Sequence, residues 1–308
     1  MAPLASLAPS PALRPADVPR LGVGVLYNTS LAGFVRSPDL ELLDYLAVIP
    51  DRFWRDRGPG HPDRFVEIGA WMAVLEHAAE RLPLVSHSVG MSIGSAEWFD
   101  AEHLEQIARW SERFRFPWHS DHLSFARVAG EDAHTFAAGV PCPVPYDGEV
   151  LELLAERVQA VQRAVAAPFL LENNVYYVEL PEQEMTEPEF LTRLTERTGC
   201  GLLLDVHNVY VNSVNHGFDP AAFIDALPLD RVVEVHIAGG SELGGMYTDS
   251  HAGPCPDPVW ELLDRVVAAA PNLCGITFEF GESYFPQLGT EGVRAEVRRA
   301  RAAWDRRR

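Results

Sequence analysis

Short, continuous apolar runs alternate along this chain with longer segments of helical spacing. LGVGVLY (21–27), DYLAVIP (44–50), LPLVSH (82–87), the front of RFPWHSDHLSF (115–125), PFLLEN (168–173), GLLLDVH (201–207), RVVEVHIAGG (231–240) and NLCGITFEF (272–280) read as eight strands. Most are apolar throughout rather than at every second residue, the pattern of strands covered on both faces. Between them lie helix patterns. In RFVEIGAWMAVLEHAAERL (64–82), Val66, Ile68, Met72, Leu75 and Ala79 recur at roughly helical spacing; His103, Ile107 and Trp110 do so over 101–114. GEVLELLAERVQAVQRAV (148–165), EPEFLTRLTERTG with Gly199 at its stop, DPAAFIDAL (219–227), PDPVWELLDRVVAAA (256–270) and a terminal segment over 292–307 complete the set.

Strand and helix thus alternate through eight units in 308 residues, which predicts a single (β/α)8 TIM barrel. A doubly wound open sheet is the alternative, but no GxGxxG loop supports nucleotide binding. Residues 19–308 form the expected catalytic domain, and the Pro/Ala-rich 1–18 reads as a disordered lead-in, too interrupted for a secretion signal. No apolar run approaches the roughly eighteen residues of a membrane span.

Polar residues stand where the strands end. His87 follows the third strand, Asp121 and His122 the fourth, Glu172 the fifth, Asp205 and His207 the sixth, His236 the seventh, Asp249 and His251 the loop after it, and Glu279 the eighth. In a TIM barrel such positions converge on one mouth. Asp121 and His122 are neighbours, so a regular strand turns only one of them inward. Asp205 and His207 share a face by their i, i+2 spacing, and Asp249 and His251 repeat it in TDSHAGP, where Gly244 and Gly245 let the loop fold back.

Several imidazoles and carboxylates gathered without matching Lys or Arg would repel one another unless cations bind. Mixed His and carboxylate donors without thiolate suit iron, manganese or zinc, and their number exceeds what one ion needs, which implies a di- or trinuclear centre. Each residue also has a plainer reading: a strand-end His as a hydrogen-bonded structural group, Glu172 or Glu279 as a buried acid paired with arginine, an Asp as a turn cap. His61, His77, His103 and His134 lack positional support and read as surface or packing residues, and His119 is left outside the site. The Gly90 and Gly94 loop is a weak candidate anion cradle because it lacks a Walker lysine.

Charge and cysteines narrow the partners. A formal net charge of −19 argues against nucleic acid and anionic membranes. Four scattered cysteines without a CxxC pair read as reduced thiols, which places the protein in the cytoplasm.

HSVGMSIGS, SDHLSF, LLEN, GLLLDVHNVYVNSVNHGFDP, VVEVHIAGG, the TDSH segment and DPVWELL, in this order, resemble the multinuclear non-haem iron-dependent oxidative enzyme family, to which the methanobactin-maturing oxidase belongs. The resemblance implies a TIM barrel binding two or three irons of mixed Fe(II)/Fe(III) state, with dioxygen as co-substrate. It implies ligands at His87, His122, Glu172, Asp205, His236, Asp249, His251 and Glu279. The implied activity is modification of residues, often cysteine, in a ribosomally made precursor peptide delivered by a separate leader-peptide-binding partner protein. Asp205, His207 and Asn208 are the candidate catalytic residues; Asn208 and His216 match family positions. The chain departs from the family pattern in reading SDHLSF for SEHLAW and DVHN for DVNN, which shortens one acid and adds the His207 imidazole.

The turn-rich stretch 127–147 and the aromatic pair Tyr176 and Tyr177 are the expected substrate contacts. Two rival classes remain: a zinc or manganese barrel of the sugar-isomerase or abasic-site endonuclease kind, and a non-catalytic scaffold that binds metal or peptide.

Overall fold

The computed structural model describes residues 17–129 and 135–307. Most of the lead-in, 1–16, and His134 lie outside the described residues. Eight parallel strands close into a barrel: β1 (Gly22–Leu26), β2 (Tyr45–Val48), β3 (Leu84–His87), β4 (His119–His122), β5 (Phe169–Glu172), β6 (Gly201–Asp205), β7 (Val232–Ile237) and β8 (Gly275–Phe278). Each pairs with its sequence neighbours, and β1 closes on β8. The closure excludes the open doubly wound sheet.

Seven main helices cover the outside: α1 (Gly69–Ala79), α2 (Ala101–Phe114), α3 (Gly148–Ala164), α4 (Glu187–Thr198), α5 (Val206–His216), α6 (Asp257–Ala269) and α7 (Phe285–Asp305), the last broken at Gly289. Their starts follow from side-chain caps. Asp100 accepts from the His103 amide, Asp147 from that of Val150, and Thr186 and Glu189 form a reciprocal capping box. Gly199 ends α4 in the left-handed conformation at φ 73°.

The period of two along each strand explains how an apolar core and a polar mouth share one barrel. Val85, Leu170 and Leu203 point inward with Tyr45, Ala47 and Trp118 to form a small inner core. Two residues further on, the same face carries His87, Glu172 and Asp205. Glycine makes room in this interior: a Cβ on Gly24 or Gly275 would lie 2.6 Å from atoms of Tyr45. The register then levels the polar residues, setting His122 beside Glu172 and Asp205 beside His236. Val18, within the expected lead-in, is already buried against the base.

Three expectations change. Phe65–Glu67 belongs not to a helix but to a short antiparallel hairpin with Trp54–Asp56, so α1 begins only at Gly69. The stretch 127–147 is mostly a second hairpin, Phe125–Ala129 with Thr135–Cys142. The sixth strand stops at Asp205, and the residues after it turn into α5. Among the described residues no helix is long and apolar enough to cross a membrane.

Candidate metal centre

The polar strand ends meet at the mouth. His87, Glu172 and His236 each bring one donor atom within 4.8 Å of the others, and so do Asp205, His236 and Glu279. Around the first group, Glu172 Oε2 lies 3.4 Å from His87 Nε2 and 3.2 Å from His122 Nε2. Around the second, Glu279 Oε1 lies 2.9 Å from His236 Nδ1, Glu279 Oε2 lies 3.3 Å from His251 Nε2, and Asp249 Oδ1 lies 2.9 Å from His251 Nε2. All eight residues expected as ligands therefore fall in one connected cluster, and His236 is common to both groups.

These short separations do not satisfy the groups. Glu172 Oε2, Glu279 Oε1 and His236 Nδ1 are buried and have no hydrogen-bond partner. Buried polar atoms are nearly always partnered, so donors that converge without bonding one another fit a shared cation. Charge tells the same story. Burial pushes Glu172 well above the ordinary carboxylate range and pulls His87 well below the ordinary imidazole range. Asp205 is pushed up to about 6, by burial first and then by Asp249. Burial also opposes charge on His236 and His251. There, however, Glu279 and Glu234 lift His236 well above its usual value, and Asp249 lifts His251 up to about 10.

A second layer aims the donors. His87 Nδ1 is 3.0 Å from Ser120 Oγ, whose hydroxyl donates to the Ser86 carbonyl, so Nδ1–H is the donor and Nε2 keeps its lone pair for the mouth. Glu234, two residues before His236 on the same face of β7, lies 3.3 Å from His236 Nε2. Its carboxylate accepts from Trp118 Nε1 and Thr277 Oγ1, both at 2.6 Å, and Thr277 meets the Tyr45 hydroxyl at 2.7 Å. This buried acid anchors the centre from below, and the Glu-x-His spacing in VVEVH was the signal for it.

Helix α5 holds the mouth from the side. Asp205 caps it by accepting from the Asn208 amide at 2.7 Å, and Asn173 brackets Asp205 with hydrogen bonds to both its amide and its carbonyl. Asn208, Asn212 and Asn215 recur at helical spacing on one face. Asn208 donates to the Asn173 carbonyl, Asn212 bonds the Asn174 carbonyl and the Tyr176 amide, and Asn215 bonds both backbone groups of Tyr247. Tyr247 belongs to the hairpin Ser241–Leu243 with Met246–Thr248, turned by Gly244 and Gly245 at φ 62° and 87° as expected of such a turn. That hairpin leads directly to Asp249. His251 then takes φ 50°, a strained setting for a non-glycine residue, pinned by the Gly281 amide donating to its carbonyl at 2.7 Å.

Other residues take different places. His207 is not a strand partner of Asp205 but the second residue of α5. Its Nδ1 lies 3.0 Å from Asp249 Oδ1, so it positions that carboxylate. Asn208 braces the 173–174 turn as described above. His216 stacks on Tyr176 with its Nε2 2.9 Å from the Tyr176 carbonyl, away from the cluster. Asp121 faces outward while His122 faces the mouth; Asp121 Oδ1 accepts from the His122 amide.

His103, expected at the surface or in packing, is a buried packing residue, with Nε2 2.9 Å from Asp51, which in turn accepts from Ser88 Oγ and the Val89 amide just beyond His87. His119 is fully buried beside Ser86. The loop after His87 spends its hydroxyls internally, Ser92 on the Ala126 and Arg127 amides and Ser95 on the Arg127 carbonyl. Tyr177 contributes its hydroxyl as acceptor for the Asp249 amide.

The centre opens into a cleft of about 720 Å³ in which His87, His122, His251 and Glu279 form the floor. Tyr27, Phe53, Trp54 and Trp71 supply aromatic walls.

A closed parallel barrel with imidazole and carboxylate donors clustered at the C-terminal ends of its strands defines a TIM-barrel protein with a candidate metal centre. A model of the RiPP precursor modification enzyme MbnB/TglH/ChrH family matches residues 22–305, and the chain belongs to that family. The UPF0276 protein of Caulobacter vibrioides is 34% identical over 263 residues, covering 85% of this chain and 87% of that protein. The UPF0276 protein of Chromobacterium violaceum is 40% identical over 207 residues, 67% of this chain and 73% of its own length.

Among solved structures, endonuclease IV from Thermus thermophilus superposes with a TM-score of 0.53 at 21% identity, covering 93% of this chain and 99% of that one. D-psicose 3-epimerase from Clostridium cellulolyticum gives 0.52 at 13% identity, with 92% and 97% covered. At these identities the likeness shows the barrel fold alone.

Proposed function

We propose that this chain is a multinuclear iron-dependent, dioxygen-using oxidase of the cytoplasm that modifies a cysteine residue of a ribosomally made precursor peptide. A separate leader-peptide-binding protein presents the peptide. The observation that carries the reading is the convergence of buried, unpartnered Glu172, His236 and Glu279 atoms in a chain of a precursor-modifying family. The donor set fits the metal: nitrogen and carboxylate oxygen without thiolate, in excess of one ion's needs. His87, His122, Glu172 and His236 would hold one iron; Asp205, His236, Asp249, His251 and Glu279 would hold a second. When bound, iron supplies the redox chemistry and the activation of dioxygen.

The residues of the chain do the rest. Ser120 fixes which imidazole nitrogen of His87 faces the centre, and the Glu234 carboxylate, 3.3 Å from His236 Nε2, supports that ring electrostatically from below. Asp205 is the donor tied most firmly to the scaffold, through its cap and its Asn173 bracket. His207 and Asn208 act as positioning residues, holding Asp249 and the 173–174 turn. The aromatic walls of the cleft seat the peptide and limit water around the reacting residue.

The test is an incubation of iron-loaded protein, leader-binding partner and precursor peptide, followed by peptide mass spectrometry. The peptide mass changes in air and stays constant under nitrogen or after chelation. An unchanged mass in air at full iron occupancy would contradict the reading, and phosphodiester cleavage by a colourless zinc form would replace it.

A further inference from the structure

Outside the mouth, the loop after β5 and the start of α4 enclose a second cavity of about 640 Å³. Tyr146, Tyr176, Phe218 and Phe223 line it with rings. Among them lies Glu187, only 6% exposed. Its Oε1 has no hydrogen-bond partner. Glu179, Glu184 and Glu189 stand around the opening, and among the described residues the cavity lining contains no Lys, Arg or His.

A buried carboxylate oxygen without a partner costs free energy unless a ligand supplies the missing donor. Burial pushes Glu187 up to about 8, so its surroundings disfavour a charge that no neighbouring cation balances. Ring faces attract cations, and an apolar wall ending in an acid matches a long aliphatic stem that ends in a charged head. A carboxylate or phosphate ligand would meet four lining acids, and the imidazole beside them, His216, is already stacked on Tyr176 and 3.5 Å from Glu179.

We propose that this pocket binds a lysine or arginine side chain of the precursor peptide. The inference rests on the peptide-substrate reading above. It favours the substrate over the partner protein because adjacent residues of one loop face both sites: Tyr176 lines the pocket, and the Tyr177 hydroxyl accepts from the amide of Asp249 in the metal cluster. An extended peptide with its reacting residue in the mouth would run across this loop.

The full chain is titrated calorimetrically with host peptides acetyl-Gly-Ser-Xaa-Ser-Gly-amide in which Xaa is lysine, arginine or norleucine. The lysine and arginine peptides bind roughly tenfold more tightly than the norleucine peptide. Glu187→Gln abolishes the preference without altering bound metal. Equal affinities in the wild-type chain, absence of detectable binding included, or a preference that survives Glu187→Gln, would overturn the proposal.

Replacing the basic residues of the full precursor by norleucine raises KM for modification roughly tenfold at unchanged kcat. If KM stays constant and only the partner protein's affinity depends on Glu187, the occupant is the partner and the assignment fails. Selective binding of cationic peptides without oxidation would instead sink the oxidase reading and leave the pocket standing.

Discussion

The two halves of the candidate centre are built differently. His87, His122 and Glu172 stand at the ends of three adjacent strands, so the barrel's own hydrogen-bond ladder sets their spacing. Asp249 and His251 stand on a loop beyond a two-stranded hairpin, held by Asn215, Tyr177, His207 and the Gly281 amide. The strand half is fixed as firmly as the fold itself. The loop half is fixed by side-chain bonds that could be removed one at a time, which makes it the half able to adjust to ligand. His236 lies between them and belongs to both.

The largest expected effect comes from removing that shared residue. His236→Ala should empty both halves, with bound iron falling to background and turnover lost; full iron content in the variant would take His236 out of the centre. Next is Glu234→Gln, which keeps the shape but removes the charge beneath His236. Loss of such a supporting carboxylate typically weakens metal affinity by about 10- to 100-fold, measured by competition with a chelator. A change confined to kcat at unchanged affinity would mean that Glu234 does not position His236.

In metal-free protein the halves should respond to pH in opposite senses. His251 is raised to about 10 against burial by Asp249, so its contribution is present below the unfolded value near 6.5 and is lost as pH rises toward 10. His87 is lowered by burial and by His122, so it costs stability as pH falls below about 6.5, where only the unfolded chain takes up the proton. Denaturant unfolding should show His251→Ala destabilising by on the order of 2 kcal/mol more at pH 6 than at pH 10. His87→Gln should relieve part of the acid loss. The same sign for both variants would break the comparison.

The smallest effect belongs to Asn215→Ala, which cuts two bonds to Tyr247 at a cost of about 1 kcal/mol. Hydrogen exchange should quicken over 246–251 and stay unchanged in β3, β4 and β5.

Much of this was legible because a strand's period is two. An apolar run ending in His, Glu or Asp places its polar end on the same face as the buried residue two before it, and six such runs, from β3 to β8, define the mouth. What stayed hidden depended on tertiary partners. Residues 206–216 carry Val206, Val209, Val211 and Val214 among Asn and Tyr, a composition poor for helix, so Val206 and His207 read as the end of a strand and no helix is read after them. The cap at Asp205 and the amide row along α5 override that propensity, and they turn the i, i+2 pair Asp205 and His207 into a donor and its neighbour's brace. Val66 and Ile68 join the helix pattern in sequence because their spacing runs on to Met72, whereas pairing with Trp54–Asp56 claims the segment for a hairpin. Asp51 and His103 are 52 positions apart, beyond the reach of any local pattern.

Iron content and Mössbauer spectra of the purified full chain test the central claim most directly. The account predicts at least two irons per chain in inequivalent nitrogen and oxygen environments, with both signals lost in His236→Ala. A single iron at full occupancy, or stoichiometric zinc with no iron uptake, would contradict it.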